Sequence, residues 1–153
     1  MTLRFRLATE ADTTAFGAAL ARIARPGDVI ALEGDLGAGK SVLARGFIRA
    51  LAGADVEAPS PTFTLVQTYE TETATIWHFD LYRIEDPEEV WELGIEEAFE
   101  DGISLFEWPS RAGTILPRDR LDLVLSIGDD DVRSAELRPG PAWEGRLEGW
   151  NPA

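Results

Sequence analysis

The stretch Asp28-Val29-Ile30-Ala31-Leu32-Glu33-Gly34-Asp35-Leu36-Gly37-Ala38-Gly39-Lys40-Ser41 decides how the rest of this chain is read. Its first six residues are a mostly apolar run of strand length. The next eight satisfy G-x-x-x-x-G-K-[ST], a loop whose glycines let successive N–H groups turn toward one point and form an anion nest. From Lys40 onward Val42, Leu43, Phe47, Ile48 and Leu51 recur at helical spacing, and Gly53 marks the stop. Strand, glycine loop and helix in that order make a nucleotide phosphate site, because the first N–H groups of the helix are unpaired and carry partial positive charge. In such a site Asp35, Leu36, Gly37, Ala38, Gly39, Lys40, Ser41 and Val42 line the nucleotide. Lys40 reaches the β- and γ-phosphates, and the Ser41 hydroxyl ligates Mg²⁺.

The composition sharpens this reading. The 153 residues suit one domain, with 28 acidic against 14 basic side chains and a net charge of −14. So acidic a chain is unsuited to bind DNA or RNA by itself, since phosphate neutralisation needs clustered Lys and Arg. A polybasic membrane anchor is excluded on the same ground. Thirteen of the basic residues are arginine, and the only lysine is the one in the glycine loop. There is no cysteine, so no disulfide framework, thiol nucleophile or Cys–zinc site, and a single histidine, His78, rules out multi-histidine metal motifs. No apolar run approaches the roughly 18 residues of a membrane span. The alternation of Leu3, Phe5 and Leu7 with Arg4 and Arg6 is strand patterning rather than a signal-peptide core, and the expected location is cytoplasmic.

Outward from the loop, residues 3–7 predict a strand. Thr9 and Asp12 open a helix that carries Phe16, Leu20 and Ile23 and ends before Pro26-Gly27. Pro59 and Pro61 make 58–63 a loop. Residues 64–69 and 75–81 predict a hairpin, so the sheet is mixed rather than all parallel. Asp86-Pro87-Glu88-Glu89 opens a further helix with Val90, Trp91, Ile95, Ala98 and Phe99 on its apolar face and Gly94 as an interruption. Residues 103–108 predict a buried strand, and 121–127 with 132–137 a late hairpin. The predicted fold is α/β: a P-loop NTPase-like single domain over 1–138, with a mixed central β-sheet flanked by helices. Residues 139–153, rich in Gly, Pro and Trp, are expected to be an irregular tail.

A second carboxylate for Mg²⁺ is expected at a strand end beside the loop, and Asp80 fits; the alternative is a solvated strand-end acid. Glu107, after Ile103-Ser104-Leu105-Phe106, is placed to orient an attacking water, or is simply another strand-end acid. Thr62 could make the Pro-Ser-Pro-Thr loop a nucleotide-sensing switch, or the loop is a rigid turn. His78 faces the site or is packed. Trp77 and Trp91 are expected in the core.

Five segments occur in order: G-D-L-G-A-G-K-S at 34–41, S-P-T-F-T-L-V at 60–66, H-F-D-L-Y-R at 78–83, E-L-G-I-E-E at 92–97 and F-E-W-P at 106–109. Together they resemble the TsaE (YjeE) family of small bacterial P-loop ATPases over about residues 5–127. The resemblance implies a part in making N6-threonylcarbamoyladenosine at position 37 of tRNA. It implies binding to the TsaB–TsaD heterodimer, with ATP hydrolysis supporting turnover and tRNA met only through that complex. The transfer itself would belong to TsaD. By motif match, Lys40 is implied as phosphate ligand, Ser41 and Asp80 as Mg²⁺ ligands, Thr62 as switch residue, Glu107 as water-orienting carboxylate and Trp108 as a functional position beside it. Ser41 departs from the family's more frequent threonine, and either hydroxyl can bind Mg²⁺.

From Glu85 to Asp101 the chain carries nine acids and no base, leaving −5 for everything else. This run is either a solvated helix face or a docking surface for a basic partner. A small-molecule kinase is the alternative function, although no lid or basic acceptor pocket is evident. A GTPase is disfavoured because N-K-x-D needs a second lysine. With no arginine finger evident in cis, hydrolysis is expected to be slow until the partner binds.

Overall fold

The computed structural model describes residues 1–152. Seven strands form one sheet: β1 (Leu3–Leu7), β2 (Val29–Glu33), β3 (Val66–Glu70), β4 (Thr75–Asp80), β5 (Ile103–Glu107), β6 (Leu121–Ile127) and β7 (Arg133–Pro139). Their order is β1-β7-β6-β2-β5-β4-β3. The centre is parallel, with β2 between β6 and β5 and β4 beside β5. Antiparallel pairs close both flanks, β3 on β4 and β1 and β6 on β7, so the sheet is mixed as the hairpin patterning predicts.

The apolar run in β2 is explained by burial on two faces, the usual lot of a central parallel strand. Ile30 and Leu32 join the core under α1 (Glu10–Ile23) and α2 (Lys40–Ala52), with Phe16, Leu20, Leu43 and Phe47. Val29 and Ala31 join the opposite core, where Phe79 and Phe106 stack at 4.4 Å between ring centroids. The two helices lie very close. A Cβ at Gly17 would stand 2.2 Å from the Leu43 carbonyl oxygen, and one at Gly46 would stand 2.3 Å from that of Thr14. Thr9 caps α1 as the T-x-x-D pattern predicts, with reciprocal bonds between Thr9 and Asp12.

Two expectations are corrected. The segment after Asp86 is not one helix. It is a 3₁₀ turn over Pro87–Leu93, then α3 (Ile95–Asp101), broken at Gly94 with φ +86°. A Cβ there would come 3.0 Å from the Trp77 ring. The tighter turn brings Val90 inward and leaves Trp91 45% exposed, so Trp91 is not a core residue. All nine acids of this segment are exposed.

The tail is not irregular either: Pro141–Leu147 form α4, opened by Pro141 at its first position. Trp143 is fully buried. Arg146 donates to both Asp28 carboxylate oxygens at 2.7 and 2.9 Å and to the Ile23 carbonyl. Trp150 packs edge-on against Phe5 and Phe16. A seven-residue helix has too little periodicity to be read from sequence, and long-range contacts hold it.

Candidate nucleotide-binding site

Parallel strands β2, β5 and β4 all point their C-terminal ends to one edge of the sheet, where α/β proteins bind ligands. Register fixes what meets there. Leu32 pairs with Glu107, and Glu107 pairs with Asp80, so Glu107 stands beside the end of β2 and Asp80 one strand further out at the same level.

The loop leaves β2 and enters α2 at Gly39, which caps the helix with φ +107° and offers no side-chain hydrogen bond to it. The first N–H groups of this 13-residue helix are therefore open to an anion. Gly37, at φ +84°, has nothing within 4 Å of where a Cβ would stand, so this part of the loop faces open space. A phosphate fits this cradle.

Lys40 is buried at the loop's mouth. Its ammonium donates to the Gly34 carbonyl at 2.5 Å and lies 3.4 Å over the centre of the Trp108 ring. Burial pulls its pKa below the ordinary lysine value, opposed by the charges of Glu107, Asp80 and Asp35. Trp108 itself sits in left-handed backbone, φ +58°, immediately after β5, and this turn sends the indole back over the loop. Tyr82 packs against it at 5.0 Å.

The hydroxyl and carboxylate groups form two linked sets. Ser41 Oγ donates to Glu107 Oε1 at 3.2 Å, and His78 Nε2 lies 2.7 Å from Glu107 Oε2. Across the cavity, Ser60 Oγ and Thr62 Oγ1 both donate to Asp80 Oδ2, at 3.2 and 3.0 Å. The Tyr82 N–H holds Asp80 Oδ1. Leu65 at φ +70° closes the 58–65 loop: its N–H bonds the Pro61 carbonyl, and its own carbonyl accepts from the Asp80 N–H.

A cavity of about 310 Å³ opens between these groups. Gly37, Gly39, Lys40, Ser41 and Val42 line one side, and Thr62, Asp80, Glu107 and Trp108 the other. Leu36 is exposed at the rim. Ala38 is buried behind the loop, and the Asp35 carbonyl accepts from the Ala38 N–H. The side-chain donors facing one another are hard oxygens, the set that suits Mg²⁺. The residues thus fit both a phosphate chain and its ion. Ser41 bonds Glu107 rather than Asp80.

Sequence reasoning missed the loop's other flank. There Arg133 at the start of β7 donates to the Gly37 carbonyl at 3.0 Å. A second cavity of about 250 Å³ lies between Thr9, Thr13, Gly39, Val42 and Arg133. No local pattern marks Arg133, because a contact across 96 residues depends on the sheet order. Among the described residues, no arginine lines the larger cavity; Arg83 stacks over Phe63 and Arg111 over Tyr82 at its rim.

The family model for "Threonylcarbamoyl adenosine biosynthesis protein TsaE" matches residues 7–135. The chain belongs to the TsaE family. It is 41% identical over 131 residues to the Rickettsia bellii protein named tRNA threonylcarbamoyladenosine biosynthesis protein TsaE, covering 86% of this chain and 91% of that one. The Bacillus subtilis protein of the same name is 39% identical over 132 residues, covering 86% and 82%. The crystal structure of Bacillus subtilis YdiB superposes with a TM-score of 0.83 at 31% identity, covering 98% of this chain and 94% of that one. The single α/β domain with its mixed seven-stranded sheet is therefore the TsaE-family fold. No helix among the described residues is long and apolar enough to cross a membrane.

Proposed function

We propose that this chain is a Mg²⁺-dependent ATPase that drives repeated turnover of the TsaB–TsaD heterodimer. As a TsaE-family protein it belongs to tRNA threonylcarbamoyladenosine biosynthesis. The observation that carries the ATPase reading is the convergence of an open anion nest with Ser41, Thr62, Asp80 and Glu107 around one cavity.

In this reading Lys40 and the open N–H groups at the start of α2 bind the phosphates, with the nucleoside end toward the cavity beside Thr9 and Arg133. Ser41 and Asp80 hold Mg²⁺, which when bound neutralises phosphate charge as a Lewis acid. Glu107, buried and bonded through Oε1 to Ser41, orients the attacking water. Trp108 covers the Lys40 ammonium and gives way when phosphate takes its place. Because Ser60 and Thr62 hold the oxygen of Asp80 that serves the ion, the 58–65 loop senses occupancy through a single atom.

No arginine reaches the larger cavity from the described residues, so the charge-stabilising group is expected from the partner. The exposed acids of 85–101 are the surface offered to a basic face of TsaB–TsaD, and tRNA is met only through that complex. Hydrolysis is then slow alone and faster with the heterodimer. Phosphate release from ATP, measured with and without TsaB–TsaD, tests this; equal rates in both would count against it.

A further inference from the structure

One buried polar contact lies behind the cavity wall rather than facing the cavity. His78, the sole histidine of the chain, is 1% exposed and lies against Glu107, itself 2% exposed. We propose that His78 is a positioning residue for Glu107: its imidazole holds one carboxylate oxygen through Nε2 so that the other stays turned to Ser41 and the cavity. This rests on Glu107 being the water-orienting carboxylate.

The sheet register supplies the geometry. In the parallel pair β4–β5, His78 lies opposite Leu105 and Asp80 opposite Glu107. His78 is therefore the diagonal neighbour of Glu107 on the face toward α1 and α2, within reach of a long side chain. Nε2 stands 2.7 Å from Oε2, while Oε1 accepts from Ser41 Oγ at 3.2 Å. The two oxygens are thus divided, one tied to the scaffold and one presented to the site. With only one oxygen fixed, the carboxylate could still turn about its last bond; with both fixed, it cannot.

A carboxylate only accepts, so the shared hydrogen belongs to Nε2. Nδ1 is buried and has no partner. An imidazole kept for packing alone would have no need of this pairing, and a leucine would fill the same place among the apolar residues of the sheet.

Two measurements test the proposal. Because there is one histidine, nitrogen-15 NMR of histidine-labelled full-length protein reports the hydrogen bonding of its ring directly. The expected spectrum shows Nε2 hydrogen-bonded to the Glu107 carboxylate, a signature lost in Glu107→Ala; no such bond, or indifference to Glu107→Ala, overturns it. Second, with TsaB–TsaD and ATP, His78→Leu should lower kcat on the order of 10-fold while KM for ATP stays within about 2-fold. His78→Gln, whose amide N–H has similar reach, should restore most of the loss. A rise in KM alongside the fall in kcat, with no recovery by glutamine, would mark a merely structural role and overturn the proposal. If the wild-type chain releases no phosphate with its partner, the ATPase reading fails and the spectrum still decides the pairing. If wild type and His78→Leu hydrolyse ATP equally, only the His78 proposal falls.

Discussion

The two walls of the cavity are built on opposite plans. The phosphate wall is one continuous piece of chain, residues 34–42, and its donors are backbone N–H groups that the helix start leaves open. The carboxylate wall is assembled from three segments, 60–62, 78–80 and 107–108, held together by hydrogen bonds between side chains. The first wall is set by local conformation and stands ready. The second depends on register between β4 and β5 and on hydroxyls that can exchange one partner for another. A rigid cradle faces an exchangeable network, and in the proposed ATPase binding belongs to one wall and response to the other.

The largest effect that would break this contrast lies at Glu107. Glu107→Gln should cut kcat for ATP by about 100-fold or more, the scale of a lost general base. Nucleotide affinity should survive, as read by calorimetry. If affinity falls with turnover, Glu107 serves the ion, and the walls are not separable in this way. Lys40→Ala attacks the other wall. It should weaken ATP binding by about 100-fold, consistent with the loss of hydrogen bonds to a charged group. Retained affinity would overturn the site assignment.

Smaller changes sharpen the division. Thr62→Val removes one of two hydroxyls on Asp80 Oδ2 and should reduce partner-stimulated turnover roughly 10-fold, with binding nearly unchanged. An equal loss in partner-free and partner-stimulated rates would make the loop a rigid turn rather than a switch. Ser41→Thr keeps the hydroxyl and should alter turnover and Mg²⁺ requirement by no more than about twofold. A larger change would mean that the contact between Ser41 Oγ and Glu107 tolerates no added methyl.

The same contrast explains what could be read from the sequence. Residues 28–51 were legible because strand, loop and helix are contiguous there, and each leaves a local pattern of apolar period and glycine. Asp80 and Glu107 were legible as the ends of apolar strands, but their adjacency was not, since it needs the order β2-β5-β4. The pairing of His78 with Glu107 and the reach of Arg133 to Gly37 leave no local trace for the same reason. Trp91 was misread because an α-helical period was assumed where a 3₁₀ turn forms. The terminal helix was misread because glycine and proline near a chain end resemble a loop. Trp143 and the pairing of Arg146 with Asp28 hold it through contacts more than 100 residues apart in the chain.

The central claim is that this cavity hydrolyses ATP on behalf of a partner. It is tested most directly by following terminally labelled ATP with the purified chain, Mg²⁺ and tRNA, with and without TsaB–TsaD. Label should be released as inorganic phosphate, slowly alone and roughly 10-fold or more faster with the heterodimer, the stimulation expected of a completed phosphoryl-transfer site. Label transferred to a small molecule, or no release with the partner present, would contradict it.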